Sequence, residues 1–397
     1  MEKIRFGIIG AGTQGMAYAG FLTGKNTHPD FPNPAPPQHA VLGALCGRSE
    51  ATRARCKELF SDTPFYADYK ELVRSGTVDA VIIATPHYQH PEMAAWCIGQ
   101  GMPVLVEKPV GVYGAGVLPL QQAAQQHPEV PFGVMYNFRA NSLWRRVHDL
   151  IAGGTLGSIR SSLWLVTDFY RPDSYYASSP ARGTWGGEGG GVLTNQATHQ
   201  LDLWQWLCGV PTAVYAQVGF GTGRAIPTDT QATLLTRYAD GSTGCFKASV
   251  NDLDGEDSLT IGLDGGSIRV TGGKRAVVRT FVRPEPQVNA ETGPDALRKL
   301  TSGKGLGVPL YTEEVWEADE PWGTQHVAMM ENFALHMLAG QPLYAPGTEG
   351  LRTVQLTNAA LYSGWTRQET AVPMDGQVYK AWLNERIAEE GRFPILP

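Results

Sequence analysis

Asn195, His199 and Asp202 stand at i, i+4 and i+7 in a glycine-led segment of the 397-residue chain. On a helix that spacing puts a carboxamide, an imidazole and a carboxylate on one face. Such a face can grip a polyol, and its imidazole can give or take a hydroxyl proton near neutral pH. Far away in sequence, Lys108 lies between Glu107 and Pro109, after a short apolar run. A lysine in a partly desolvated site loses proton affinity and can serve as a base toward a hydroxyl. A lone helical histidine is ordinarily a core residue, and a lysine after a strand is often a surface one. The company these residues keep points instead to chemistry. No further ligands stand at metal spacing, and no nucleophile elbow for Ser-His-Asp catalysis is present.

The element that must position Lys108 is at the start of the chain. Residues 3–9 form an apolar run that reads as a buried strand, followed by Gly10-Ala11-Gly12-Thr13-Gln14-Gly15 and the helical stretch 16–22. Gly-x-Gly-x-x-Gly between a strand and a helix is a dinucleotide-binding signature. Gly10 allows the tight turn, Gly12 lets the backbone approach a pyrophosphate, and Gly15 lets the helix pack. Thr13 and Gln14 complete the candidate phosphate cradle. Beside an oxidised nicotinamide ring, Lys108 would face positive charge, which lowers its pKa further. The second strand, expected over 39–46, ends in Gly47-Arg48-Ser49-Glu50. An acid at the end of that strand reads the ribose of NAD, whereas an arginine suits the 2′-phosphate of NADP. Gly47 takes the acid's place, and Arg48 with Ser49 favours NADP, with NAD as the other possibility. Glu50 falls late and is expected to open the next helix.

Strands and helices alternate from there to about residue 140. Helices are expected over 50–60, 68–74, 88–100 and 112–126, and strands over 79–84, 103–106 and 130–135. This predicts a doubly wound parallel sheet with its ligands at the C-terminal strand ends. Those ends carry Thr85, Pro86, His87 and His90, then Glu107 and Lys108, then Tyr136 and Arg139. Thr85, Pro86, His90 and Glu107 are candidate cofactor contacts, although capping or packing would equally suit His87 and His90. The proline-rich stretch 24–37 reads as an inserted surface loop, with His28 and His39 solvated.

After residue 140 the pattern becomes alternating strands with hairpin signals, over 158–168, 213–220, 230–238, 244–251, 258–263 and 267–271. Helices are expected over 143–152, 192–207, 326–339 and 347–366, and long loops over 284–322. The fold class is therefore α/β: a dinucleotide-binding domain over 1–140, and a second α+β domain over 141–397 with a large open, mainly antiparallel sheet. Tyr136, Arg139 and Trp185 are candidate substrate contacts. Trp185 belongs to an aromatic segment with Trp164, Phe169, Tyr170, Tyr175 and Tyr176 that suits sugar stacking or core packing equally well. Arg171 and Arg182 read as structural or surface cations.

The formal charge is −6, with no dense basic run, so nucleic acid is not an expected partner. Five cysteines without metal spacing argue for a reducing cytoplasm rather than a disulfide framework. No apolar run reaches membrane-spanning length, and the first residues read as a core strand, not a signal peptide.

Taken together, the Gly10 to Gly15 motif, Ala84-Thr85-Pro86 with His90, Glu107-Lys108-Pro109, the 150–159 stretch, Gly189-Gly190-Gly191 and His199-Gln200-Leu201-Asp202 resemble the Gfo/Idh/MocA family. That family comprises the glucose-fructose oxidoreductase, inositol dehydrogenase and rhizopine catabolism proteins. The resemblance covers nearly the whole chain. It implies a Rossmann domain joined to an open mixed sheet and a homodimer or homotetramer built through that sheet. It also implies hydride transfer at a sugar or cyclitol carbon lined by Lys108 and His199. Many dehydrogenases of the family carry Asp where this chain has Asn195, and Gly where it has Ala197. A carboxamide can orient a hydroxyl but cannot take up its proton, so Lys108 is the expected acid/base and His199 assists. Two competing readings share the fold: redox-neutral glycoside cleavage with a retained cofactor, and a non-catalytic dinucleotide-binding sensor.

Overall fold

The computed structural model describes residues 2–27, 33–302 and 309–397. His28 and part of the proline-rich insertion lie outside the described residues. The first sheet contains β1 (Ile4–Ile9), β2 (Ala40–Cys46), β3 (Phe65–Tyr66), β4 (Ala80–Ile83), β5 (Val104–Val106) and β6 (Phe132–Val134). Its order is β3-β2-β1-β4-β5-β6, and every pairing is parallel. The helices between these strands are α1 (Thr13–Thr23), α2 (Glu50–Leu59), α3 (Tyr69–Arg74), α4 (His90–Gly99) and α5 (Gly114–Gln126). Short runs such as Ala80-Val81-Ile82-Ile83 are fully buried because helices cover both faces. Strand order reverses between β1 and β4, which opens a crevice at their C-terminal ends.

The second unit begins with α6 (Ser142–Ala152), β7 (Ile159–Val166) and α7 (Asp173–Ala177). A π turn over Val192–Gln196 leads into α8 (Thr198–Cys208). Then come β8 (Ala213–Phe220), β9 (Asp229–Arg237), β10 (Thr243–Ser249), β11 (Asp257–Leu263), β12 (Gly266–Thr271) and β13 (Arg275–Phe281). The chain closes with α9 (Glu285–Glu291), α10 (Pro294–Thr301), β14 (Tyr311–Glu317), α11 (Thr324–Ala339), α12 (Gly350–Thr366), β15 (Thr370–Ala371) and α13 (Gly376–Glu390). Nine strands form one open sheet in the order β14-β13-β12-β11-β7-β10-β9-β8-β15. Only β7 and β10 run parallel, so the sheet is mainly antiparallel, as the sequence predicts.

The inner face of this sheet is aromatic and packs on helices. Trp204 of α8 stacks on Phe246 of β10 with centroids 5.4 Å apart and donates its indole N–H to Ser162 Oγ at 2.9 Å. The outer face carries a cross-strand row of Tyr215, Leu235, Cys245, Leu163 and Thr260. Leu235 is 54% exposed and Leu163 43%.

The expected loops over 284–322 contain α9, α10 and β14 instead. β14 is an edge strand, and Glu313, Glu314 and Glu317 obscure its alternation. Glu313 and Glu317 pair across to β13, with Arg279 Nε 2.9 Å from Glu313 and Arg275 Nε 3.6 Å from Glu317. Polar edge strands of this kind resist further strand pairing. Helix α11 returns to the first sheet, where Phe333 meets Phe6 with ring centroids 5.9 Å apart. This return brings His326 to the crevice. No helix of the described residues is long and apolar enough to cross a membrane.

Candidate active site

Two adjoining cavities open along the C-terminal ends of the first sheet. The first, about 550 Å³, is lined by Gly10, Ala11 and Gly12 after β1, by Gly47, Arg48 and Thr52 after β2, and by Asp68, Tyr69, Thr85, Pro86, Gln89 and Met93. Gly10 has φ +97°, and a Cβ there would lie 2.6 Å from the Ala84 carbonyl oxygen. A Cβ on Gly15 would come within 2.2 Å of the Gly10 carbonyl oxygen, so Gly15 seats α1 on the turn, as the motif requires. A Cβ on Gly12 would meet nothing within 4 Å. The space above Gly12 is therefore open, and glycine there serves what enters the cleft rather than the fold. No side chain caps α1 and its first turn has no acid, so its N-terminal N–H groups are available to an anion. An open glycine, an uncapped helix N-terminus and a long cleft at the strand-order reversal fit a dinucleotide pyrophosphate.

Arg48 lines this cleft beside Gly47. Ser49 does not. Its hydroxyl caps α2, accepting from Thr52 N at 3.1 Å, because a helix start after β2 leaves free N–H groups that serine satisfies.

The second cavity, about 420 Å³, holds the candidate chemistry. Thr13, Gln14, Thr85, His90, Glu107, Lys108, Asn195 and His199 line it, together with His87, Asn137, Tyr175, Arg182, Glu188 and His326. Residues after four strands of the first sheet, β1, β4, β5 and β6, thus meet the π turn and α8 of the second unit. Lys108 Nζ donates to Asn195 twice, to the backbone oxygen at 3.0 Å and to Oδ1 at 3.2 Å. The Asn195 amide N donates in turn to Glu188 Oε1 at 3.1 Å, which fixes Oδ1 toward the lysine. A neutral amine has two N–H groups and one lone pair, so both donors are occupied by Asn195 and the lone pair is left for the cavity. Burial pushes the Lys108 pKa down, Glu107 and Glu188 oppose that, and Arg171 adds to it.

Glu107 is buried against the Tyr18 hydroxyl and the Lys108 backbone N–H, and burial raises its carboxyl to about 7. His199 stacks on Phe138 at 4.8 Å, and its Nδ1 is buried without a partner. Burial holds its pKa well below the ordinary range, helped by the Lys108 and His326 charges. Burial also depresses His87 to about 3 and His326 to about 4. His90 lines the cavity, but its Nδ1 and Nε2 lie 2.8 and 2.6 Å from the Pro109 and Thr85 carbonyl oxygens. It therefore ties the two strand-end loops together.

Four candidate substrate contacts lie elsewhere or behind the cavity wall. Asp202 is buried and grips Arg139, whose Nε and Nη2 each lie 2.7 Å from its carboxylate oxygens. Arg139 also reaches Glu349, so this network ties α8 to the segment after β6 and to α12. A buried carboxylate needs such a partner, and that need turns Asp202 away from the face shared by Asn195 and His199. Tyr136 is buried behind His199, edge-on at 6.4 Å. Trp185 packs in the second core against Phe220 and Trp382, at 5.9 and 5.3 Å.

The reading of residues 192–207 as one regular helix also needs correction. Asp229 of β9, fully buried, accepts from Gly191 N at 2.6 Å and Leu193 N at 2.8 Å, anchoring a wide first turn. Gly191 must be glycine here, since a Cβ would lie 1.9 Å from the Asp229 carbonyl oxygen.

His326 and Glu188 escaped the sequence reading. His326 stands among Phe21, Trp322 and Tyr18 and has no local motif. Glu188 did carry a signal: it is the carboxylate immediately before the glycine run. Arg182, read as a structural or surface cation, and Tyr175, for which sugar stacking and core packing stood equal, both line the cavity. Among the described residues no group of three or more His, Cys, Asp or Glu could hold a metal ion, and all five cysteines are free.

Two family models match the chain. One, described as an oxidoreductase family with an NAD-binding Rossmann fold, matches residues 4–136. The other, the GFO/IDH/MocA C-terminal domain, matches residues 144–272. The chain is 27% identical over 247 residues to the rhizopine catabolism protein MocA of Rhizobium meliloti, a match covering 62% of this chain and 70% of that one. It is 23% identical over 364 residues to scyllo-inositol 2-dehydrogenase (NADP(+)) IolW of Bacillus subtilis, covering 91% and 94%. The WlbA dehydrogenase of Bordetella pertussis, solved in complex with NADH and UDP-GlcNAcA, shares the fold. Its TM-score is 0.73 at 24% identity, covering 94% of this chain and 99% of that one.

Proposed function

The chain belongs to the Gfo/Idh/MocA family of oxidoreductases, and from that premise we propose that it is a nicotinamide-dependent dehydrogenase of a sugar or cyclitol hydroxyl. The observation that carries this reading is the Lys108–Asn195 pairing at the mouth of the dinucleotide cleft. The turn at Gly12 would hold a nicotinamide dinucleotide, which would supply the acceptor for the hydride that leaves the carbon. Lys108 Nζ, held by two bonds to Asn195, takes the hydroxyl proton as a carbonyl forms. Desolvation favours the neutral amine that this requires. A positioned base of this kind contributes on the order of 10² to 10⁴ in rate. His199, held neutral against Phe138, orients the same hydroxyl. Asn195 fixes the lysine without adding charge, so its departure from the family's Asp keeps Lys108 a weaker cation and a better base.

For the cofactor, Arg48 at the adenosine end supports NADP over NAD. No acid of the family's ribose-binding kind stands at Gly47. The Bacillus relative's name specifies NADP(+). For assembly, the exposed apolar row on the nine-stranded sheet supports a homodimer or homotetramer joined through that face.

The test is a panel of sugars, cyclitols and sugar acids with NAD+ and with NADP+, followed at the reduced-nicotinamide band. Accumulation of reduced cofactor supports the reading. Substrate consumption without net change in that band would favour redox-neutral cleavage. Tight cofactor binding with no chemistry on any member would favour a sensor.

A further inference from the structure

The catalytic cavity holds a guanidinium with an N–H group that its walls do not bond. Arg182 lines it together with Lys108, Asn195 and His199. The Arg182 guanidinium lies 4.1 Å from the Tyr175 ring centroid, and that of Arg171 lies 5.2 Å from the same ring. The Tyr175 hydroxyl accepts from Gln196 Nε2 at 3.2 Å, which holds the ring in place. The Nε of Arg182 is buried and has no hydrogen-bond partner. Among the described residues Arg182 and Arg171 form no direct salt bridge; the Arg182 charge acts on Glu188 and the Arg171 charge on Asp168 through space.

The cavity's own acids are already engaged. Glu188 accepts from Gly183 N at 2.9 Å and from Asn195, and Glu107 accepts from Tyr18 and Lys108 N. Arg182 also lines a second cleft of about 510 Å³ that holds Arg392, Tyr176 and Ile226, with Asp173 as its one carboxylate. Arg182 therefore borders both spaces. A buried, unpartnered guanidinium N–H is costly until an acceptor arrives, and planar carboxylates and phosphates match its donors best.

Building on the dehydrogenase reading, we infer that the substrate is acidic: it carries a carboxylate or a phosphate that Arg182 binds while the reacting hydroxyl sits at Lys108. Arg171 and Tyr175 fix the arginine. The cleft toward Arg392 leaves room for the charged end of a substrate longer than one ring.

The test uses the cofactor-loaded protein and matched pairs: a hexuronate with its parent hexose, an aldonate with its polyol, and a sugar phosphate with its sugar. Kinetics at the reduced-nicotinamide band and calorimetric binding are both read, for the parent, Arg182→Gln and Arg182→Lys. One charge-assisted pair contributes about 10- to 100-fold, so the parent should prefer the acidic member of a pair by that factor. In Arg182→Gln that preference should collapse toward unity, mainly through KM, and Arg182→Lys should recover part of it. The uronate and phosphate arms tell the two anions apart. Turnover of neutral members with no acid preference, or equal losses for both members in Arg182→Gln, overturns the inference and leaves the dehydrogenase reading standing. Arg182-dependent binding of an acid without cofactor reduction would do the reverse.

Discussion

Asn195→Asp changes one atom of the pairing that holds the proposed base. In the parent, Asn195 Oδ1 lies 3.2 Å from Lys108 Nζ and the amide N lies 3.1 Å from Glu188 Oε1. A carboxylate at the first distance interacts with an ammonium by on the order of 5 kcal/mol at an effective dielectric near 20. That corresponds to an upward shift of Lys108 by roughly three to four pKa units. The new acid also loses a donor and faces Glu188, which offsets part of the effect by favouring a proton on the carboxyl pair. The net expectation is an alkaline shift of at least about one unit, with roughly three to four as the ceiling. The sign follows from the base's role. A lysine of higher pKa yields less free amine at neutral pH, so oxidation slows and its rate climbs with pH to a later midpoint. The assay is kcat against pH from 6 to 11 on the best substrate, with cofactor affinity as control. A midpoint that stays in place or moves toward acid would refute the electrostatic role given to Asn195.

Other perturbations test the remaining parts. Gly12→Val should abolish dinucleotide binding at a folding cost of at most about 1 kcal/mol, because Gly12 is extended at φ −77° and its Cβ direction is empty; calorimetry and a urea titration separate the two, and retained affinity would contradict the cleft assignment. Arg48→Ala should weaken NADP far more than NAD in the same titration, whereas equal losses would remove the NADP preference. Leu235→Lys, in the outer row of the large sheet, should convert an oligomer into a species near the 43.0 kDa chain mass by light scattering; a parent already at that mass refutes the interface. His326→Phe fits the ring among Phe21, Trp322 and Tyr18 and removes a group held at about 4 against an ordinary 6.5. A depressed pKa gives stability that is present above 6.5 and lost as pH falls toward 4, so from pH 7 to 4.5 the variant should lose about 2 to 3 kcal/mol less than the parent; equal losses would contradict this.

The parts of the fold and site legible in the sequence are those with local causes. The Gly10 to Gly15 motif, the alternating strands and helices, and Lys108 after β5 each follow from neighbours a few residues away. Asn195 and His199 were also legible, because even a widened turn keeps residues four apart on similar faces. Asp202 was not, since its orientation is set by Arg139, 63 residues earlier in the chain. Ser49 caps α2, and a helix cap and a phosphate ligand ask for the same hydroxyl. Trp185 and Tyr136 show that an aromatic near a site motif is as readily claimed by the core. β14 was hidden by the glutamates that protect a sheet edge. His326 reaches the cavity only because α11 folds back onto the first sheet, which no local pattern encodes.

The most direct test of the central claim is turnover of Lys108→Ala and Lys108→Arg beside cofactor affinity. If Lys108 carries the proton, both variants should lose roughly 10² to 10⁴ in kcat. Dinucleotide binding should stay within a few-fold, because the proposed pyrophosphate site is the turn at Gly12, away from Lys108. Arginine should give no rescue, since it does not release a proton at working pH. Near-parental turnover of Lys108→Ala on a good substrate would contradict the account.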